Sequence, residues 1–395
     1  MVHKQQKMRS LWKLHPEVTF LNHGSFGGCP IQVLQTQSEY RDELESEPVS
    51  FFLERYPVYL DQTREALGAF LHVDPERLVM VRNATEGVNA ILGSMDFRDR
   101  DEVLVTSLNY PACRKAVQAL QRKFNLTVVH VPLAPTMSNE EVLFAIQRSI
   151  TTRTRLALID HITSSTAIEM PVKEVVALCK SHHVISLIDG AHGPGMLPLD
   201  LSQLNADFYV GNLHKWCCAP KGAAFICFAS TYGHDLRPVQ ISHGFEPGTD
   251  QQSPSALFDW PGTHDPSAWF AVPSALKFIQ TLYPRGLDEL RQHMIALRKQ
   301  AESMLSPLFS PVDPGHDSRL FMRAFHLPPS HHQQAGPLGL DVLQRRLVDD
   351  YRIQVPVTYF PEYPQRVFRI SVAPYNVASD YEKLMNAMVT LLDKA

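Results

Sequence analysis

Lys215 lies in "NLHKWCCAP" (Asn212–Pro220), between a histidine and a tryptophan, behind the apolar run "ADFYVG" and ahead of a glycine-bearing strand. A lysine so placed is either a stem laid along apolar surface or an amine whose charge burial weakens, and an amine of the second kind attacks carbonyls. Asp189 ends the apolar run of "VISLIDGAHGPG", where an unpartnered carboxylate is costly, and His192 follows in a glycine-rich turn. This aspartate either caps the next turn or holds a cationic group. In "VRNATEGVNAIL", Asn83, Ala84 and Thr85 stand between an apolar run and a helical pattern. That place suits an ordinary N-cap, or a phosphate on free backbone amides and the Thr85 hydroxyl. Tyr110, just before Pro111, can stack on a flat ligand or simply pack. "LIDHITSSTA" ends another apolar run with Asp160, His161, Thr163, Ser164 and Ser165, either as loop hydrogen bonding or as part of a site. A phosphate loop, a flat stacking side chain, a strand-end aspartate and then a lysine have one economical explanation. It is pyridoxal 5′-phosphate linked to Lys215, with Asp189 keeping its ring nitrogen protonated.

The elements needed to position these groups are legible as alternating patterns. Strands are predicted at Glu102–Thr106, Leu126–Val131, Arg155–Asp160, Val184–Asp189, Asp207–Val210 and Gly222–Phe228. Helices are predicted at Thr85–Met95, Ala112–Phe124, Glu140–Ile150 and Val172–His182. Continuous Val/Ile/Leu runs alternating with helices predict an α/β fold whose large domain has a mostly parallel sheet between helices, with ligands beyond the carboxyl ends of the strands. The domain reading is an N-terminal segment 1–60 contributing to the site mouth and a dimer, a large domain 61–264, connecting helices 265–307 and a smaller C-terminal α/β domain 308–395. In that last unit Arg319–His326 and Val367–Val372 read as strands, and Leu340–Asp350 and Asp380–Ala395 as helices. Residues 1–60 have little strand character, and "LNHGSFGGCP" (Leu21–Pro30) reads as a turn-rich loop. Pro311–Gly315 and Pro328–Pro337 are the most loop-like stretches, and the aromatic-rich "ESEPVSFFLERYP" either lines the pocket or packs across a dimer.

At 395 residues, 44% apolar and 20% charged, with a net charge of −4, the chain can bury a large core. It has no basic excess to seek nucleic acid or an anionic membrane. No signal peptide or membrane span is evident, which predicts a cytoplasmic protein, and the six cysteines lack C-x-x-C spacing and read as reduced. Cys217 and Cys218 lead into an apolar strand and read as packing. The 18 histidines, including the pair His331-His332, show no metal-ligand spacing, so no metal is expected.

Taken in order, "NATEGVN", "DGAH", "GNLHKW", "PGTHDPSAW" and "RISVAPYN" resemble the class V aminotransferase superfamily of fold-type I pyridoxal-phosphate enzymes. Within it the likeness is to the isopenicillin N epimerase-like branch, which includes hercynylcysteine sulfoxide lyases, and it runs from Leu21 to about Asn376. The resemblance implies that Asn83, Ala84, Thr85 and His214 hold the phosphate, that Tyr110 stacks on the ring, and that Asp189 binds its nitrogen. His192 and Thr163 would lie by the cofactor, and Lys215 would be both anchor and proton shuttle. Thr263 would reach the partner's phosphate in a homodimer. Arg369 would clamp the substrate carboxylate, with Asn22 and His23 at the substrate mouth. The reaction expected is α-proton abstraction and β-elimination of a sulfur leaving group from an amino acid. Epimerisation or racemisation, aminotransfer and a non-catalytic binding role are the alternatives. A persulfide relay is not expected, because no cysteine follows Cys227.

Overall fold

The computed structural model describes residues 8–233, 235–248, 252–313, 318–330 and 339–393. After a short strand β1 (Thr19–Phe20) come β2 (Leu78–Val81), β3 (Glu102–Thr106), β4 (Thr127–Val131), β5 (Thr154–Asp160), β6 (Ile185–Asp189), β7 (Phe208–Asn212) and β8 (Ala224–Phe228). These last seven form one sheet in the order β2-β8-β7-β6-β5-β3-β4. Neighbours from β7 to β4 run parallel, and β8 alone runs against both of its neighbours. The order steps from β5 to β3, leaving β4 at the sheet's edge beyond β3, and the carboxyl ends of β2, β3, β5, β6 and β7 lie on one side of the sheet. In such sheets that side is where ligands sit.

The strands form because their residues can be buried on both faces. Every residue of β2, β3, β6, β7 and β8 is buried. Helices Ala84–Ser94, Pro111–Phe124, Asn139–Ser149 and Val172–Ser181 cross between strands, within a residue of their expected bounds. The helix at 139 starts with a capping box, in which the Ser138 hydroxyl accepts from the Glu141 amide.

Three helices, Ser267–Phe270, Val272–Thr281 and Gly286–Leu305, lead to the second α/β unit. There β9 (Met322–Leu327), β10 (Ile353–Gln354), β11 (Val357–Tyr359) and β12 (Arg366–Ser371) occur, with β12 central in an antiparallel β11-β12-β9 sheet and β10 pairing in parallel with β1. Helices Val342–Tyr351 and Ala378–Leu392 cover it. Of the expected loops, 314–315 and 331–337 lie outside the described residues, as do His331 and His332 and the last two residues of the expected C-terminal helix. Two helices before residue 75, Ile31–Ser46 and Tyr56–Leu71, are joined through a π-helical stretch at Phe51–Arg55. Phe51 packs inward on Tyr59 and Phe270, whereas Val49 and Leu53 are exposed. Among the described residues no helix is long and apolar enough to cross a membrane, and no group of His, Cys, Asp and Glu could hold a metal ion.

Candidate active site

Strand register brings the first two groups together. Asp160 and Asp189 end adjacent parallel strands opposite one another, both buried. Asp160 accepts from Asn109 Nδ2 at 2.6 Å and from the Tyr110 amide at 3.0 Å. Asp189 accepts from the Ala191 amide at 3.1 Å and from Cys113 Sγ at 3.2 Å. Burial, and then the neighbouring Asp189, push the Asp160 carboxyl well above the usual carboxylate range. Asp160 is the residue for which the sequence left loop hydrogen bonding and a place in the site equally open. Its signal, a carboxylate ending an apolar run, is the same one that singled out Asp189.

The start of helix Ala84–Ser94 lies on the same side of the sheet. Asn83 is its N-cap, its Oδ1 accepting from the Glu86 amide at 2.9 Å, and the Ala84 amide donates to Asn212 Oδ1 at the end of β7, also at 2.9 Å. Two of the four expected phosphate groups are thus engaged within the protein. The Thr85 amide and hydroxyl have no partner among the described residues, and this helix start and His214 border one cavity of about 250 Å³. His214 Nδ1 is buried with no hydrogen-bond partner among the described residues. Burial, and then Lys215, lower the His214 pKa to about 4.

Lys215 follows β7 in a tight turn in which Cys218, at φ 58°, donates its amide to the Lys215 carbonyl at 3.0 Å. Lys215 Nζ lies 3.2 Å from His192 Nε2, and Trp216 Nε1 donates to His192 Nδ1 at 3.4 Å. With Nδ1 accepting, the ring proton of neutral His192 sits on Nε2, where it meets the lone pair of the amine once the amine has lost its proton. Two pKa shifts move the pair towards that state. Burial first, then Lys215, carries His192 well below its usual value. Burial first, then Arg369, lowers Lys215 from 10.5 to about 8, with Asp189 and Asp160 opposing.

Arg369 comes from β12, across from the large sheet. It donates to the Ser164 carbonyl, to Ser25 Oγ at 2.9 Å and to Asn22 Oδ1 at 3.5 Å, and its Nε is buried without a partner. No carboxylate pairs with it among the described residues, and burial lowers its pKa to about 10. A buried guanidinium without a counter-ion is suited to a carboxylate ligand. Arg369 stands one layer behind the cavity wall, bonded to Ser25 and Ser164, which do form that wall.

Of the expected residues, Asn83, Ala84, Thr85, Tyr110, Asp189, His192, His214 and Lys215 border the same cavity. Three do not. Thr163 is buried in its own turn, bonded to Thr166 Oγ1 at 2.6 Å and accepting from the Ile168 amide at 2.9 Å. Thr263 borders a separate cavity with Arg82, Glu86 and His264. His23 is buried at 1% exposure behind the wall, its ring bonded within the protein. The donor set fits pyridoxal phosphate. Thr85 and His214 suit its phosphate, Asp189 its ring nitrogen, the Tyr110 ring its face and Lys215 its carbonyl carbon.

The family described as aminotransferase class-V matches residues 28–317. Isopenicillin N epimerase of Amycolatopsis lactamdurans is 33% identical over 96% of this chain and 96% of its own. L-cysteine desulfhydrase of Arabidopsis thaliana is 28% identical over 95% of this chain and 88% of its own. The solved structure of the cystine C–S lyase C-DES with its product cysteine persulfide superposes with a TM-score of 0.81 at 21% identity, over 94% of this chain and 97% of that one.

Proposed function

The chain belongs to the class V aminotransferase family, and on that premise we propose that it is a pyridoxal 5′-phosphate-dependent C–S lyase. Its substrate is an amino acid of the cysteine or cysteine-sulfoxide type. The products are pyruvate, ammonia and a thiol or sulfenate. When bound, the cofactor supplies an electron sink for the charge that develops at the substrate α-carbon. The rest is done by this chain. Asp189 keeps the ring nitrogen charged, and Thr85 with His214 fixes the phosphate. Tyr110, its amide held by Asp160, covers the ring. Arg369 draws in the α-carboxylate, which then competes with Ser25 and Asn22 for the guanidinium. Lys215, held beside His192 Nε2, takes the α-proton once its lone pair turns from that ring to the substrate.

One observation carries the choice of elimination. Among the groups bordering the cavity, Lys215 is the one amine, and its pKa is lowered to about 8. His192 and His214 are too weakly basic, and Tyr110 and Asp160 are shifted towards their protonated forms. A single base suffices for α-proton removal and loss of a sulfur anion, whereas a two-base epimerisation needs another group of matched pKa. Epimerisation is the second reading, favoured by the 33% identity to an isopenicillin N epimerase. All six cysteines are buried, which speaks against a persulfide-carrying thiol. We further propose a homodimer in which Thr263 reaches the phosphate of the partner's site, a reading supported by its bordering a different cavity from Lys215.

The test is proton NMR in D₂O with L-cysteine, cystine and S-substituted cysteine sulfoxides, beside amino acids that lack a β-leaving group. Pyruvate formed from the sulfur compounds supports the lyase and ranks the leaving groups. Loss of the α-proton signal with recovery of both enantiomers and no pyruvate overturns it in favour of the epimerase.

A further inference from the structure

The loop 22–28 meets both Lys215 and Arg369. Asn22 and Ser25 bond the guanidinium. Gly27 lies so close to the lysine turn that a Cβ there would come within 2.7 Å of the Lys215 carbonyl oxygen. Between them stands His23. Its Nδ1 accepts from the Gly28 amide at 3.2 Å and meets the Tyr375 hydroxyl at 2.8 Å. With Nδ1 accepting, the ring proton is on Nε2, which donates to the Lys215 carbonyl at 2.9 Å. Burial holds the ring neutral, with a pKa lowered to about 4.

The Lys215 carbonyl is the acceptor that closes the lysine turn, taking the Cys218 amide on one lone pair and His23 on the other. Rotation of this peptide swings the lysine side chain about its own Cα. Tyr375 in turn is packed edge-on against Trp12, so the His23 ring is braced from the C-terminal unit. We infer that His23 is a positioning residue for Lys215, fixing the peptide plane from which the amine reaches towards His192 and the cofactor. The inference rests on the reading of Lys215 as the cofactor anchor. His23 touches neither substrate nor cofactor, so its place is the second rank behind the cavity wall and not the substrate mouth.

The experiment compares the cofactor-loaded wild type with His23→Ala, His23→Gln and His23→Asn. Two quantities are read, the cofactor dissociation constant from tryptophan fluorescence and the pH midpoint of the visible absorbance that reports the lysine linkage. A Gln amide nitrogen reaches about as far as Nε2, whereas an Asn amide reaches only the Nδ1 position. The expected result is cofactor binding weakened about tenfold in His23→Ala, together with a displaced pH midpoint. His23→Gln should return both to within about twofold of wild type, and His23→Asn should not. An unchanged midpoint in a His23→Ala protein that has merely lost thermal stability overturns the inference, because a filler residue would behave that way. Rescue by Asn instead of Gln overturns it as well, since it would assign the role to the Gly28 and Tyr375 bonds. Should His23→Ala not fold, Tyr375→Phe removes the hydroxyl that braces Nδ1. It should displace the midpoint in the same direction by less, and no displacement counts against the inference. Absence of the lysine-linked band from wild type, or its persistence in Lys215→Ala, would refute the anchor itself and leave a different signature.

Discussion

Replacing Lys215 by methionine should make the cofactor-free protein more stable at neutral pH, although it destroys the site. The lysine carries a pKa of about 8 where an ordinary one has 10.5, chiefly because the fold desolvates it. That difference corresponds to at most about 3 kcal/mol of unfavourable charging in the folded state, since one side of the chain faces the cavity. The sign follows from proton counts. Below pH 8 the folded and unfolded states both hold the proton, so the full cost is present. Between pH 8 and 10.5 the unfolded chain keeps a proton that the folded one has released, so wild-type stability rises with pH. Above 10.5 the cost is gone. Methionine keeps an unbranched stem and has nothing to charge. Its advantage in urea unfolding of the cofactor-free proteins should therefore be about 2 to 3 kcal/mol at pH 7 and should fade to nothing near pH 10.5. Titrating groups that do not feel Lys215 are common to both proteins and cancel, and His192 and His214, which do, have pKa values lowered away from this window. A gap that stays flat across this range, or a wild type as stable as the variant at pH 7, refutes the claim that the fold weakens this amine.

Arg369→Lys loses the planar two-pronged grip while keeping the charge, so kcat/KM for cysteine should fall about thirtyfold, mostly through KM, in a steady-state pyruvate assay. Equal losses with cysteamine, which has no carboxylate and is followed by sulfide release because it yields no pyruvate, would show that the clamp assignment is wrong. Gly27→Ala pushes a methyl group into the backbone of His214 and Lys215 and should cost about 1 to 3 kcal/mol in urea unfolding, along with a weakened lysine-linked absorbance. A variant with wild-type stability and spectrum would mean that the loop stands further from the lysine than described.

The sheet was readable because its strands announce themselves. β3 to β8 are runs of Val, Ile, Leu and Phe, most of them buried on both faces, and the sequence bounds differ from the observed ones by two residues or fewer. The carboxyl-end rule then located Asp189 and Lys215 with no further information. It pointed to Asp160 as well, but with His161, Thr163 and Ser164 beside it the choice between a polar loop and a site group stayed open. The N-terminal loop was the harder case. Its glycines and polar residues identified a turn, but the reason for Gly24 is close approach to Met322, Ser371 and Arg369, and the reason for Gly27 is the lysine turn. Those partners lie some 190 to 350 positions away, and no local pattern encodes such a meeting. The same blindness placed His23 at the mouth, since a histidine beside Asn22 looks like a ligand contact until Tyr375 and the Lys215 carbonyl are seen against it. Arg369 followed from likeness alone, because an arginine inside a buried strand reads as well as a structural charge.

The pairing of Thr19 with Ile353, and of His23 with Tyr375, has a consequence for how the molecule comes into being. A ribosome would finish all seven strands of the large sheet by Phe228, and that sheet could condense early from contacts of modest separation. The stretch beginning at Thr19 would meanwhile have to wait, uncommitted, until the last tenth of the polypeptide emerged to receive it. Closing so long a loop costs entropy that grows only with the logarithm of its length, so the delay is one of order and not of energy. A nascent chain would therefore own its lysine long before it owned the brace behind that lysine or the guanidinium across from it. Competence to hold the cofactor firmly would come as a last act of folding, and a chain cut short before Arg369 would display a finished sheet with an unfinished site.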